Sequence, residues 1–267
     1  MRPGGENERR SVASLAWAYQ AATTEVVCAG YAGEIEWQRS MRFGDMTETD
    51  LLRENAWVVL SCGMRESIVR MRFPEIAICF HHWESARQVL ASLPQCRESA
   101  LKHFRHPGKI DAIVACAEWI AETGFMRAKE AIRVDPVGTL RSLPFIGPVT
   151  SYHLAKNLGV PVAKPDRHLV RLAGAAGYRD VQAFCSDIAA CSGDPVSVVD
   201  VVLWRFATLR SDYLNAFAEG LQNAVGARCP VVARRRTAAR AVQQPRCKAT
   251  NRRRFPPPRL AAGIPGY

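Results

Sequence analysis

Residues 140–173 read LRSLPFIGPVTSYHLAKNLGVPVAKPDRHLVRLA. Three pieces follow one another. Leu143-Pro144-Phe145-Ile146-Gly147 is a tight turn between helices: Pro144 breaks the first helix, and Gly147 allows a left-handed or otherwise restricted backbone. Pro148 opens the second helix, with Thr150 and Ser151 in its first turn, and that helix stops at Gly159. Pro165-Asp166 then opens a third helix, RHLVRLA. Asp166 is a natural N-cap, since its carboxylate can accept the first-turn amides, and amides at a helix start favour the ionised form.

Each piece alone has a plain reading as helix connection or cap. Together they have chemical content. Amides at an open helix start carry partial positive charge and can hold a phosphate without a side-chain cation. An αα-turn of this kind grips a nucleic-acid backbone without reading its sequence. A fixed carboxylate close behind it is an acid–base or charge-stabilising group.

Most of the chain around this stretch reads as helix. Helical runs are expected over 11–27, 47–60, 97–105, 109–124, 135–143, 149–159, 166–176, 179–190 and 195–224. Two short helices are expected around Pro74 within 65–92, and Gly30, Gly33 and Gly44 mark a loop region. Thr47 and Asp50 stand at capping-box spacing, Asp135 precedes Pro136 as a cap, and Gly124 stands at a C′ position. No run alternates convincingly as a strand, so the expected class is all-α. VSVVDVVLWRFATL (196–209) is the most apolar run and reads as core.

Charge and composition bound the partners. The formal net charge is +11, and the 40 residues from Arg228 to Tyr267 hold eleven Lys or Arg and no acid. The excess therefore sits on an Arg/Pro-rich segment, expected to be a disordered tail over 227–267 that favours polyanions. No stretch approaches the roughly 20 uncharged apolar residues of a membrane helix. MRPGGENERR carries both signs of charge without an apolar signal core after it, so a cytoplasmic chain with reduced thiols is expected. Nine cysteines include no CxxC pair, and no zinc ligand set is legible.

The 140–173 arrangement resembles the helix-hairpin-helix (HhH-GPD) DNA glycosylase superfamily, which includes endonuclease III, MutY and AlkA. Its pattern is a hairpin close to LPGVGxxTA, a helix, and an aspartate in a D-x-H context. Here these are Leu143–Gly147 with Thr150 and Ser151, then Asp166-Arg167-His168, with Arg171 further on. A weaker match lies upstream, where Leu60-Ser61-Cys62-Gly63 looks like the family's LSAQ helix end. The resemblance spans roughly 47–225, and only 140–173 is specific.

The resemblance implies a two-lobed helical fold over residues 1–226 with a cleft between lobes. One lobe would cover about 47–158 and the other the N-terminal segment with 160–226. It implies a monomer acting on double-stranded DNA, which flips a modified or damaged base and hydrolyses its N-glycosidic bond. Asp166 would be the catalytic carboxylate; Phe145, Ile146, Gly147, Val149 and Thr150 would grip the backbone; His168 and Arg171 would support. A monovalent cation at the hairpin is compatible with it.

Four departures refine the expectation. Val149 stands where bifunctional members carry the Schiff-base lysine, so a monofunctional hydrolase is expected, with Lys164 the alternative lyase amine. Phe145 replaces the first hairpin glycine, changing the turn's approach to DNA or adding a packing contact. Four compactly spaced cysteines after the aspartate are missing, so no iron–sulfur cluster is expected. Gly63 replaces the family's glutamine; Met64 or Arg65 would then fill the gap left by the flipped base, the alternative being a core Met64 and a surface Arg65. The base is not legible: Trp37, Trp57 and Trp119 read more readily as core than as pocket. A modified base of phage DNA, a module that only binds DNA, and a bifunctional lyase are the competing readings.

Overall fold

Residues 12–223 are described by a computed structural model; the first eleven residues and the expected 227–267 tail lie outside the described residues. Fourteen α-helices and two short 3₁₀ turns make up the described chain, without a strand among the described residues. The class is all-α. No helix among the described residues is long and apolar enough to cross a membrane.

Contacts divide the chain into two units. A central unit is formed by residues 41–164, and a flanking unit by the segments on either side. The central unit takes in 41–46 and 159–164 as well as the expected 47–158. Two contacts explain this. Gly159 has φ +86, and a Cβ there would stand 2.5 Å from the Phe43 backbone nitrogen. Lys129 also donates to the carbonyls of Gly44 and Met46 at 2.7 and 2.8 Å.

The central unit is built around α3 (Glu48–Ser61). Thr47 and Asp50 close the capping box: the Thr47 Oγ1 accepts from the Asp50 amide and the Asp50 carboxylate from the Thr47 amide. Leu51, Leu52, Ala56, Trp57, Val58, Val59 and Leu60 are buried, so α3 is apolar on nearly every side. It packs on α4 (Glu66–Cys79), α7 (Pro107–Thr123) and α10 (Thr150–Asn157). Between them run α5 (Ala86–Ala91), α6 (Leu93–His103), α8 (Phe125–Val134) and α9 (Pro136–Arg141).

Pro74 lies inside α4 and does not divide it. A mid-helix proline forfeits one backbone bond and costs about 3 kcal/mol. Burial of its neighbour outweighs this: Phe73 meets Trp57 edge to face at 5.3 Å and lies parallel to Trp83 at 5.8 Å, and Phe80 stacks on Trp83 at 5.1 Å. Trp57 is thus core, whereas Trp37 and Trp119 are half-buried.

The flanking unit comprises α1 (Val12–Cys28), α2 (Ala32–Ser40), α11 (Arg167–Ala175), α12 (Val181–Ser192), α13 (Val196–Leu209) and α14 (Tyr213–Asn223). α1 packs on α12, α13 and α14, and α13 also on α2. Gly33 belongs to α2, so the expected loop region contains a helix. The expected 195–224 run is two helices, because the chain turns extended at Arg210 (ψ 140). Arg205 fastens α13 to α2 with three bonds from its guanidinium to the two Glu34 carboxylate oxygens: Nε to Oε2 at 3.0 Å, and Nη2 to Oε1 and Oε2 at 2.8 and 2.7 Å. Its charge lies 4.2 Å from the Tyr31 ring centre. Among the described residues six cysteines are free thiols, four of them buried.

Candidate functional site

In the central unit the hairpin runs from the end of α9 to the start of α10. Asp135 caps α9 by accepting from the Gly138 amide at 2.9 Å, with Pro136 at its first position. Leu143 and Ile146 are buried and anchor the turn, and Ile146 donates its amide to the Leu143 carbonyl at 3.1 Å. The Gly147 amide donates to Thr150 Oγ1 at 2.6 Å, and the Ser151 amide to the Gly147 carbonyl at 3.0 Å. These bonds close the turn onto the first turn of α10. Ile146 is therefore a structural anchor, and Val149, 38% exposed, is the surface residue at the helix start.

The left-handed residue of the hairpin is Phe145, φ 62, and Gly147 is not left-handed. This overturns the expected role of Gly147 as the position needing glycine's freedom. A Cβ at Gly147 would meet only Thr150 Oγ1, at 3.8 Å. A bulky residue in the left-handed region is a genuine outlier and costs about 1–2 kcal/mol.

The LSAQ-like end of α3 belongs to the same unit. Gly63 takes φ +68 and carries the chain into an exposed turn, where Met64 is 40% exposed and Arg65 is exposed as the residue before α4. Met64 is thus not core. Beneath the turn lies a residue that sequence reading missed. Lys109, 3% exposed, sends its ammonium to the carbonyls of Leu60 and Cys62 at 2.8 and 2.5 Å. It satisfies the orphan carbonyls at the end of α3 and favours the negative end of that helix. Burial holds its pKa below the ordinary lysine value. Nothing local to either segment announces a pairing across 49 positions.

On α10, His153 and Lys156 lie one turn apart. Burial, with Lys164 and Lys156 close by, holds the His153 pKa well below 6.5. The folded ring stays neutral while the unfolded one takes a proton below about pH 6.5. Stability should therefore fall as pH drops through that value, by up to about 1.4 kcal/mol per pH unit for this group. Denaturant titrations at pH 7.5, 6.5 and 5.5 on wild type and His153→Gln check this. A slope identical in the two chains would refute it.

In the flanking unit, Asp166 is the N-cap of α11. Its Oδ1 accepts from the amides of His168 and Leu169 at 2.9 and 3.1 Å, and its backbone is extended (φ −83, ψ 173). The cap fixes the carboxylate at the positive end of the helix. Leu169, Leu172 and Ala173 bury one face of α11, while Arg167, Val170 and Arg171 stand on the exposed face. His168 turns toward the protein: its ring meets Tyr213 edge to face at 5.4 Å, and Nε2 accepts from Arg167 Nε at 3.3 Å. It supports α11 against α14. Arg171 is an exposed cation on the aspartate's helix.

Among the described residues, no group of three or more His, Cys, Asp and Glu could hold a metal ion. Lys164 ends the central unit, two residues before Asp166. No protein-family model, no curated protein and no solved structure matches the chain.

Proposed function

We propose that this chain is a DNA N-glycosylase of the helix-hairpin-helix superfamily, with the two-lobed architecture of that family, which extrudes a modified base from duplex DNA and hydrolyses its N-glycosidic bond. The observation that carries the reading is Asp166: a carboxylate pinned by two backbone amides at the start of the helix that follows α10 in sequence, α10 itself being opened by a hairpin closed by Gly147 and Thr150.

The chemistry asks for such a group. A base leaves deoxyribose with the bonding electrons, and positive charge builds on C1′ and the ring oxygen. A fixed carboxylate stabilises that cation and orients the attacking water, which adds to C1′ and gives up a proton. Flipping costs a few kcal/mol of stacking and pairing, offset by backbone and pocket contacts. The hairpin around Gly147, Val149 and Thr150 would hold a phosphate beside the flipped nucleotide, and Met64 or Arg65 would enter the vacated stack. Val149 supplies no amine, which supports hydrolysis over lyase chemistry.

A set of duplexes, each with one oxidised, alkylated, deaminated or hypermodified base, tests the reading by the abasic sites formed. Excision of at least one such base supports it. Tight duplex binding without excision of any would favour a module that only binds DNA. A borohydride-trapped adduct lost in Lys164→Ala would favour the lyase.

A further inference from the structure

The hairpin meets the start of α7 at one surface of the central unit, and Phe145 stands where they join. Its ring faces His106 edge to face, with centroids 5.7 Å apart and planes at 84°. It also overlies Gly108, where a Cβ would come within 3.4 Å of the ring tip. His106 is fixed in turn: its Nδ1 accepts from the Lys109 amide at 3.3 Å and so caps α7, which places the ring proton on Nε2. Lys109 is the residue whose ammonium holds the end of α3. The aromatic pair is thus braced by the core.

Yet Phe145 is 42% exposed, and its backbone is left-handed. Glycine would fit the turn without strain, and a solvent-facing phenyl ring gains little burial in return. Strain kept at an exposed aromatic points to something outside the fold.

The surroundings say what. Residues 100–110 and 136–164 contain no acidic residue. Arg105 and Arg141 are exposed on these two segments, and among the described residues no acidic side chain holds either. A braced aromatic ring on a surface whose two segments carry exposed guanidinium groups and no acid suits a base stacked on the ring with its phosphates on the cations.

We infer that Phe145, braced by His106, is a stacking plate for a nucleobase at an interrupted stack in DNA, an inference that rests on the glycosylase reading above. The plate would hold a base beside the gap that flipping opens. Arg105 and Arg141 would neutralise the adjoining phosphates, independently of sequence.

The test uses the full chain and two fluorescent duplexes, one intact and one carrying a single tetrahydrofuran abasic analogue. Wild type should bind the interrupted duplex more tightly. Phe145→Gly and Phe145→Ala should each weaken that preference about tenfold, and Phe145→Trp should keep it. Phe145→Gly should also melt a few degrees above Phe145→Ala, because only glycine is at ease at this φ. A preference that survives Phe145→Gly and Phe145→Ala overturns the stacking plate alone. A wild-type chain without any preference for the interrupted duplex overturns the plate and the glycosylase reading together.

Discussion

Asp166→Asn is expected to slow base excision by about 10²–10³-fold, the usual cost of losing one electrostatic stabiliser of a transition state. The change is nearly isosteric. Asparagine is as good an N-cap as aspartate, and its amide oxygen can accept from His168 and Leu169 as Oδ1 does now. Folding stability should therefore stay within about 1 kcal/mol of wild type. DNA affinity should be unchanged or slightly higher, since a negative charge has been removed near a polyanion. Single-turnover rates separate these effects, because saturating enzyme removes binding from the measured rate. A loss seen only in affinity would make Asp166 a cap with no part in the reaction.

The second large effect is expected on stability. Glu54 is completely buried on α3. Its Oε1 accepts from Arg53 Nε at 3.0 Å, and its Oε2 accepts from Asn157 Nδ2 at 3.0 Å. The second bond ties α3 to the last residue of α10, the helix that follows the hairpin. Glu54→Leu removes a buried charge partner and strands the Asn157 amide. Arg53 keeps its bond to Asp50, so the loss is that of a buried amide left without its acceptor, about 1–3 kcal/mol. For a chain of this size each kcal/mol lowers Tm by about 2–4 °C. The double variant Glu54→Leu/Asn157→Leu should recover part of the loss, since it replaces both polar partners with apolar ones. Calorimetry on the four chains of the cycle checks this. Additive losses would mean that the two side chains do not act as a pair.

Local signals in the sequence carried much of the fold. The Thr47–Asp50 box, the Asp135 and Asp166 caps and the Gly124 helix end, φ +83, each depend on residues within one turn of one another. The misreadings arose where packing over distance outweighs local preference. Pro74 stays helical because Phe73 is held between Trp57 and Trp83. FMRAKEAIRV forms α8, a short amphipathic helix whose few buried residues, Ala128 and Ile132, leave little pattern to read. The α13–α14 break falls at the polar Arg210-Ser211-Asp212 between two apolar helical runs, and Arg210 marks it by bonding back to Glu25 and forward to Asp212.

The candidate site divides the same way. The hairpin closure and the Asp166 cap are short-range and legible. Lys109 beneath the Gly63 turn and His106 against Phe145 join segments dozens of residues apart, and no spacing in the chain encodes them. The left-handed backbone at Phe145, and not at Gly147, is equally illegible, since a local reading assigns such a backbone to the glycine of the turn.

The central claim is that Asp166 faces a sugar on which positive charge develops. It can be tested without knowing the excised base. Two duplexes are compared, one with a neutral tetrahydrofuran at the abasic position and one with a pyrrolidine ring that is protonated at neutral pH. Wild type should bind the cationic ring at least tenfold more tightly than the neutral one, and Asp166→Asn should bind the two alike. Equal binding of the two rings by wild type, or a preference undiminished in Asp166→Asn, would contradict the account.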